Sequence, residues 1–193
     1  MRWILSAGVV LSAVVLLSSC SVLSGITTPG DDNTNQMANV QMQHIADAVK
    51  HRDAAALTKL FSPVAREKAT DLNGGITSFL SSFPTGLTKW KLEDGNTGGE
   101  GDDDFPSSVW LTYAFYEVSA NGKKYDLYFA EMTSDTNHPD RLGIYALGIA
   151  PYNPEPYTAP SASSTAFLAW VKQFKLSDND GITGTPGVYV PKS

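Results

Sequence analysis

Residues 109–133 read VWLTYAFYEVSANGKKYDLYFAEMT, and this stretch decides the fold. Two aromatic-rich, β-branched runs flank Asn121-Gly122, the pair that best tolerates the positive φ angles of a two-residue type I′ hairpin turn. Taking those two as the turn fixes the register. Val118 then lies opposite Tyr125, Tyr116 opposite Leu127, Ala114 opposite Phe129, Thr112 opposite Glu131 and Trp110 opposite Thr133. Side chains alternate across a strand, so the other face carries Tyr113, Phe115, Tyr128 and Met132. Both faces are apolar, and such a sheet needs cover on both sides.

Further strands are expected at residues 87–93 and 142–150, where the pattern alternates. Before Pro84 the period is helical. Ala38, Met42, Ile45 and Val49 recur at three- and four-residue spacings in a helix over 37–50. Asp53 reads as the N-cap of a helix over 54–61, and Ser62-Pro63 opens a third through Asp71. Asn73-Gly74-Gly75 is expected to break the helical pattern before Ile76, Phe79, Leu80 and Phe83. Past the Pro-rich joint 151–160, Phe167, Trp170, Val171 and Phe174 fall at i, i+3, i+4 and i+7, the stripe of a short helix with one apolar face. That face suits the outer side of the sheet; the competing cover is a second copy of the chain, a homodimer through the outer sheet face.

The chain opens Met1-Arg2 and runs through an apolar segment, 4–17, broken only by Ser6, Gly8 and Ser12. At roughly 14 residues this is a secretion leader rather than a span, which needs ~20. Leu17-Ser18-Ser19-Cys20 resembles the lipobox of bacterial lipoproteins, which implies cleavage before Cys20 and a diacylglycerol on its sulfur. Cys20 is the sole cysteine, so no intrachain disulfide braces the domain. The expected organisation is a signal peptide over 1–19, a lipidated tether over 20–36, the domain over 37–151, and a joint and tail over 152–193. The formal net charge is −6 and no basic patch is visible, which argues against nucleic acid as a partner. The membrane, reached through the N-terminal lipid, is the expected partner, with the protein on the cell membrane's extracytoplasmic side.

Helices followed by a curved antiparallel sheet make this an α+β chain, and the order resembles the nuclear transport factor 2-like cone. Three stretches carry the likeness: Ile45-Ala46-Asp47-Ala48-Val49 through Arg52-Asp53-Ala54-Ala55-Ala56-Leu57 to Leu60-Phe61-Ser62; Tyr125-Asp126-Leu127-Tyr128-Phe129; and Gly143-Ile144-Tyr145-Ala146-Leu147. Together they are similar to a domain-of-unknown-function family of small Gram-positive lipoproteins. The resemblance implies a pocket between helices and sheet. Here it would be lined by Phe79, Phe83, Trp90, Trp110, Thr112, Tyr116, Phe129 and Glu131, although aromatics at such positions are core more often than pocket lining. An inward Glu131 either sits at a wet mouth or has a raised pKa.

Other candidates are weaker. No Ser lies in a Gly-x-Ser-x-Gly turn. His44 and His51 lie two turns apart, off the apolar stripe, as solvated side chains rather than a metal pair. Asp135 and His138 share a polar turn, where an acid/base pair is the functional alternative. The acidic, glycine-rich stretch 93–104 lacks ordered cation-ligand spacing and reads as a solvated loop, and Asp178-Asn179-Asp180-Gly181 reads as a turn. No cofactor, metal or catalytic residue is expected. A non-enzymatic binding or interaction module fits best, with an apolar small molecule or a protein as its partner. The alternatives are a cone-type lyase or isomerase using Glu131, or Asp135 with His138, and a structural envelope lipoprotein.

Overall fold

The computed structural model describes residues 31–102, 109–153, 162–176 and 182–191. The leader, Cys20 and the turn at Asp178 lie outside them. Helix α1 (Asp31–His51) starts six residues before the expected position, because Thr34 joins Ala38, Gln41, Met42, Ile45 and Val49 on the buried stripe. It ends at Arg52, whose φ is 52°. Asp53 then caps α2 (Ala54–Leu60) by accepting from the Ala56 N–H, and Ser62 caps α3 (Pro63–Lys68) by accepting from Ala65. Both caps satisfy N–H groups that a helix start leaves unpaired.

The expected break at Asn73-Gly74-Gly75 does not occur. These residues form the first turn of α4 (Leu72–Ser82), and the break falls earlier, at Asp71, whose carboxylate accepts from Gly74 at 2.9 Å. The glycine at 75 has a packing reason instead. A Cβ there would lie 2.8 Å from the Val188 Cβ, so only glycine lets the tail approach this closely.

The sheet has five strands in sequence order, β1 (Lys89–Asp102), β2 (Val109–Ala120), β3 (Lys123–Asp135), β4 (Gly143–Pro151) and β5 (Gly187–Tyr189). The first four are antiparallel; β5, which the sequence pattern does not reveal, adds in parallel to β4. Asn121 and Gly122 have φ of 52° and 71°, as a type I′ turn requires. The β2–β3 register agrees with expectation from Val118↔Tyr125 to Thr112↔Glu131. Beyond it a bulge inserts Thr133, so Trp110 pairs with Ser134 instead. A bulge costs one residue of alternation and re-aims the side chains on its far side. Met132 lies on the hairpin side of that bulge, still opposite Leu111, but past the β3–β4 register shift between Ala130 and Glu131, and it packs in the helix-side core, not on the outer face. Residues 97–102, expected as loop, pair with β2 as the continuation of β1, after a register shift between Leu92 and Thr97.

The helices cover one side of the sheet, around Met42, Ile45, Leu57, Phe61, Phe79, Phe83, Tyr116 and Phe129. Each such large side chain contributes roughly 1.5–3 kcal/mol on burial. The outer side is covered from within the chain. Helix α5 (Ala162–Val171) sets Phe167, with Trp170 beside it, against Tyr128, Ala130 and Leu111, and Phe174 follows. Tyr113, Phe115 and Tyr128 lie under this cover as the alternation requires. Gly148 makes room for it, since a Cβ there would lie 2.7 Å from Trp170 and 2.8 Å from Phe167.

Candidate functional site

The helix-facing side of the sheet is filled. Phe79, Phe83, Thr112, Tyr116 and Phe129 have no solvent-accessible surface, and a side chain that no water-sized probe touches lines no solvent-filled cavity. Phe79 and Phe83 meet edge to face at 5.2 Å, and Tyr116 stacks on Phe129 at 6.1 Å. The Tyr116 hydroxyl donates to Asn39 on α1 at 2.9 Å. Thr112 and Thr133 share a hydrogen bond at 3.2 Å. Trp90, opposite Val118, is exposed, and Trp110 is half-buried with its indole N–H unpartnered among the described residues.

Glu131 is electrostatically unusual. It lies opposite Thr112 on β2 and Ile144 on β4. Its residue keeps some accessible surface, but the protein crowded around the carboxyl governs the charge. Burial pushes its pKa up to about 8, so it is mostly protonated at neutral pH. A second raised carboxyl lies on the outer face. Burial pushes Asp126 up to about 7, with Glu93 and Glu117 adding repulsion, while the Asn153 N–H, 3.3 Å from Oδ2, works the other way. Its Oδ1 is buried without a hydrogen bond among the described residues. Glu117 itself is paired with Lys124 at 2.7 Å.

The expected polar pair at 135 and 138 has a structural role. Asp135 is buried and accepts from the backbone N–H groups of Asn137 and His138, at 3.1 and 2.8 Å, and from Arg141 at 3.4 Å. The carboxylate thus holds the turn through the His138 backbone, an Asx-type arrangement. The His51 ring contacts the Asp47 carbonyl at 2.9 Å, one turn back on α1. Among the described residues no group of three or more His, Cys, Asp or Glu is placed to hold a metal ion. Nor is any helix among them long and apolar enough to cross a membrane.

An open concavity lies elsewhere. A groove of about 940 Å³ runs between α4 and the tail, along the β5 edge of the sheet. Thr77, Ser78, Ser81 and Ser82 of α4 form one wall, while Trp170 and Gln173 at the end of α5 and just past it, with Val188 and Val190 at β5, form the other. Sequence reading passed over it because its walls come from three separated segments. The available signal was the run of hydroxyls on the exposed side of α4.

A family model described as domain of unknown function (DUF5104) matches residues 44–154, which is 111 of the 193 residues. The chain belongs to the DUF5104 family. No curated protein matches it. The DUF5104 match takes in α2, α3, α4 and β1 to β4 and part of α1, and ends before the tail. The groove therefore has one wall inside the DUF5104 domain and one wall that the tail adds to it.

Proposed function

We propose that this DUF5104 chain is a membrane-anchored extracytoplasmic lipoprotein whose nuclear transport factor 2-like cone serves as a non-enzymatic binding module. The observation that carries the module reading is the contrast between the two sides of α4. Toward the sheet, Ile76 and Phe79 are sealed in the core; away from it, the helix faces an open groove. That groove brings together no nucleophile, base and acid in the arrangement that catalysis needs.

The anchor reading is supported by Leu17-Ser18-Ser19-Cys20 and by the absence of a second cysteine in the sequence. Two acyl chains hold where one gives only reversible attachment. Ten residues separate Cys20 from Asp31, the first residue of α1, a leash of at most about 35 Å. The domain would thus work next to the bilayer. Cys20→Ser should abolish acyl-chain labelling and leave the protein either uncleaved or released from the detergent phase. Normal processing with continued membrane fractionation would refute the anchor.

A second reading has one observation in its favour. Glu131, protonated at neutral pH and crowded by protein, is the kind of group that a cone-type lyase or isomerase uses as a general acid. The packed aromatics around the sheet centre favour the module.

A further inference from the structure

We infer that the groove between α4 and the tail binds a neutral glycan segment. This rests on the binding-module reading and assigns it a ligand class. Of the sixteen lining residues only Asp71 is ionisable, and its carboxylate is engaged by the Gly74 N–H at 2.9 Å. Among these described residues a phosphate or carboxylate ligand finds no cation to pair with, and a metal ion no ligand set. The ligand that suits the lining is uncharged.

The hydroxyls refine this. Thr77, Ser81 and Ser82 donate to the carbonyls of Asn73, Thr77 and Ser78 on their own helix, at 2.8, 2.8 and 3.1 Å. Each hydroxyl has a single proton, so what these three offer the groove is acceptor lone pairs. The matching ligand is dense in O–H donors. Opposite them the wall changes character, with Trp170 and the aliphatic side chains of Val188 and Val190. Trp170 is packed among rings, stacked 6.1 Å from Phe167, edge-on 4.9 Å from Phe174 and tilted 5.3 Å from Tyr189. A sugar ring has this same duality, with hydroxyls around its rim and C–H groups on its faces.

An extended peptide fits less well. It would add to the free edge of β5, but that strand has only three residues and is followed and preceded within two positions by Pro191 and Pro186, which bring no N–H to a ladder. The groove's size, about 940 Å³, lies in the roughly 300–1,000 Å³ range of small-molecule sites and leaves room for more than one ring. One wall of the site is the tail, which lies beyond the DUF5104 match.

The test titrates the full chain, held in mild detergent, with three neutral trisaccharides: the β-1,4-linked N-acetylglucosamine trimer, cellotriose and maltotriose. A valine–threonine heptapeptide serves as comparator. Ser78→Arg is the variant, since Ser78 is exposed and lines the groove, so a bulky cation there fills the site without touching the core. At least one trisaccharide should bind saturably, and at least tenfold more weakly to Ser78→Arg at an unchanged thermal midpoint. Trisaccharide binding unaffected by Ser78→Arg, or no saturable binding of any of the three, overturns the inference. Heptapeptide binding that Ser78→Arg abolishes, with no trisaccharide bound, also overturns it but leaves the module reading standing. Acylation of Cys20 is independent of every arm.

Discussion

Replacing Glu131 with Gln removes a charge while preserving shape, and its effect on stability should depend steeply on pH. Burial raises the Glu131 pKa from 4.5 to about 8. Below pH 4.5 the folded and unfolded chains both hold the proton, and the group contributes nothing to the balance. Between the two values the unfolded chain has released its proton while the folded protein keeps it, so folding stability falls as pH rises. Three and a half pH units at 1.36 kcal/mol each give an upper figure of roughly 5 kcal/mol lost by pH 8. Even if relaxation of the fold halves it, ~2 kcal/mol corresponds to about 4–8 °C in Tm for a chain of this size. Thermal unfolding of wild type and Glu131→Gln from pH 4.5 to 9 is the assay. The two curves should converge at the acid end and separate progressively from about pH 5 up to pH 8, with the variant the more stable. Parallel curves across the range would mean that the carboxyl is solvated in the folded state, and its interior placement would be wrong.

Asp126 adds a smaller trend of the same sign, since its pKa rises from 3.8 to about 7, and Asp126→Asn should raise stability at pH 8 and leave it unchanged at pH 4; equal gains at both would refute the cause. Asn121→Val forces a β-branched residue into φ of 52° and removes the acceptor for the Thr85 hydroxyl. It should cost about 1–3 kcal/mol in denaturant unfolding, and a wild-type midpoint would undo the turn assignment. Gly148→Ala places a methyl 2.7 Å from Trp170 and 2.8 Å from Phe167, an overpacking worth roughly 1–3 kcal/mol. It should loosen α5 and increase hydrophobic-dye binding, as should truncation after Pro160, which uncovers Tyr128 and Leu111. Dye binding equal to that of wild type in both variants would show that the tail is not what seals the outer face.

The hairpin was legible because two independent signals coincide there, a dipeptide tolerant of positive φ and alternation on both sides. Alternation assumes an unbroken ladder, and nothing in Met132-Thr133-Ser134 announces the extra residue. The expected register therefore agrees as far as Glu131 and departs at Trp110, while Met132 faces the helices past a separate shift against β4, between Ala130 and Glu131. Gly74-Gly75 was misread for a related reason. Glycine disfavours a helix interior by about 1 kcal/mol relative to alanine, yet here the lack of a side chain admits Val188 from a strand more than a hundred residues away. β5 is three residues long, too short for any periodicity. The aromatics proposed for a cone pocket have the same composition whether they line it or fill it. Only their burial decided between the two, and the groove became visible once α4, Trp170 and β5 were seen together.

The placement of β5 has a consequence for how the molecule is completed. Its parallel partner is β4, and it packs on α4 as well, while α5 just before it lies on the opposite side of the sheet. The chain's end thus passes around one margin of the sheet and clasps both sides, and it does so last. The chain emerges N-terminus first, so the 39 residues from Asn153 to Pro191 follow the first four strands. During that interval Leu111, Tyr113 and Tyr128 stand bare. Until Phe167 and Trp170 dock, that face is an apolar surface open to neighbours.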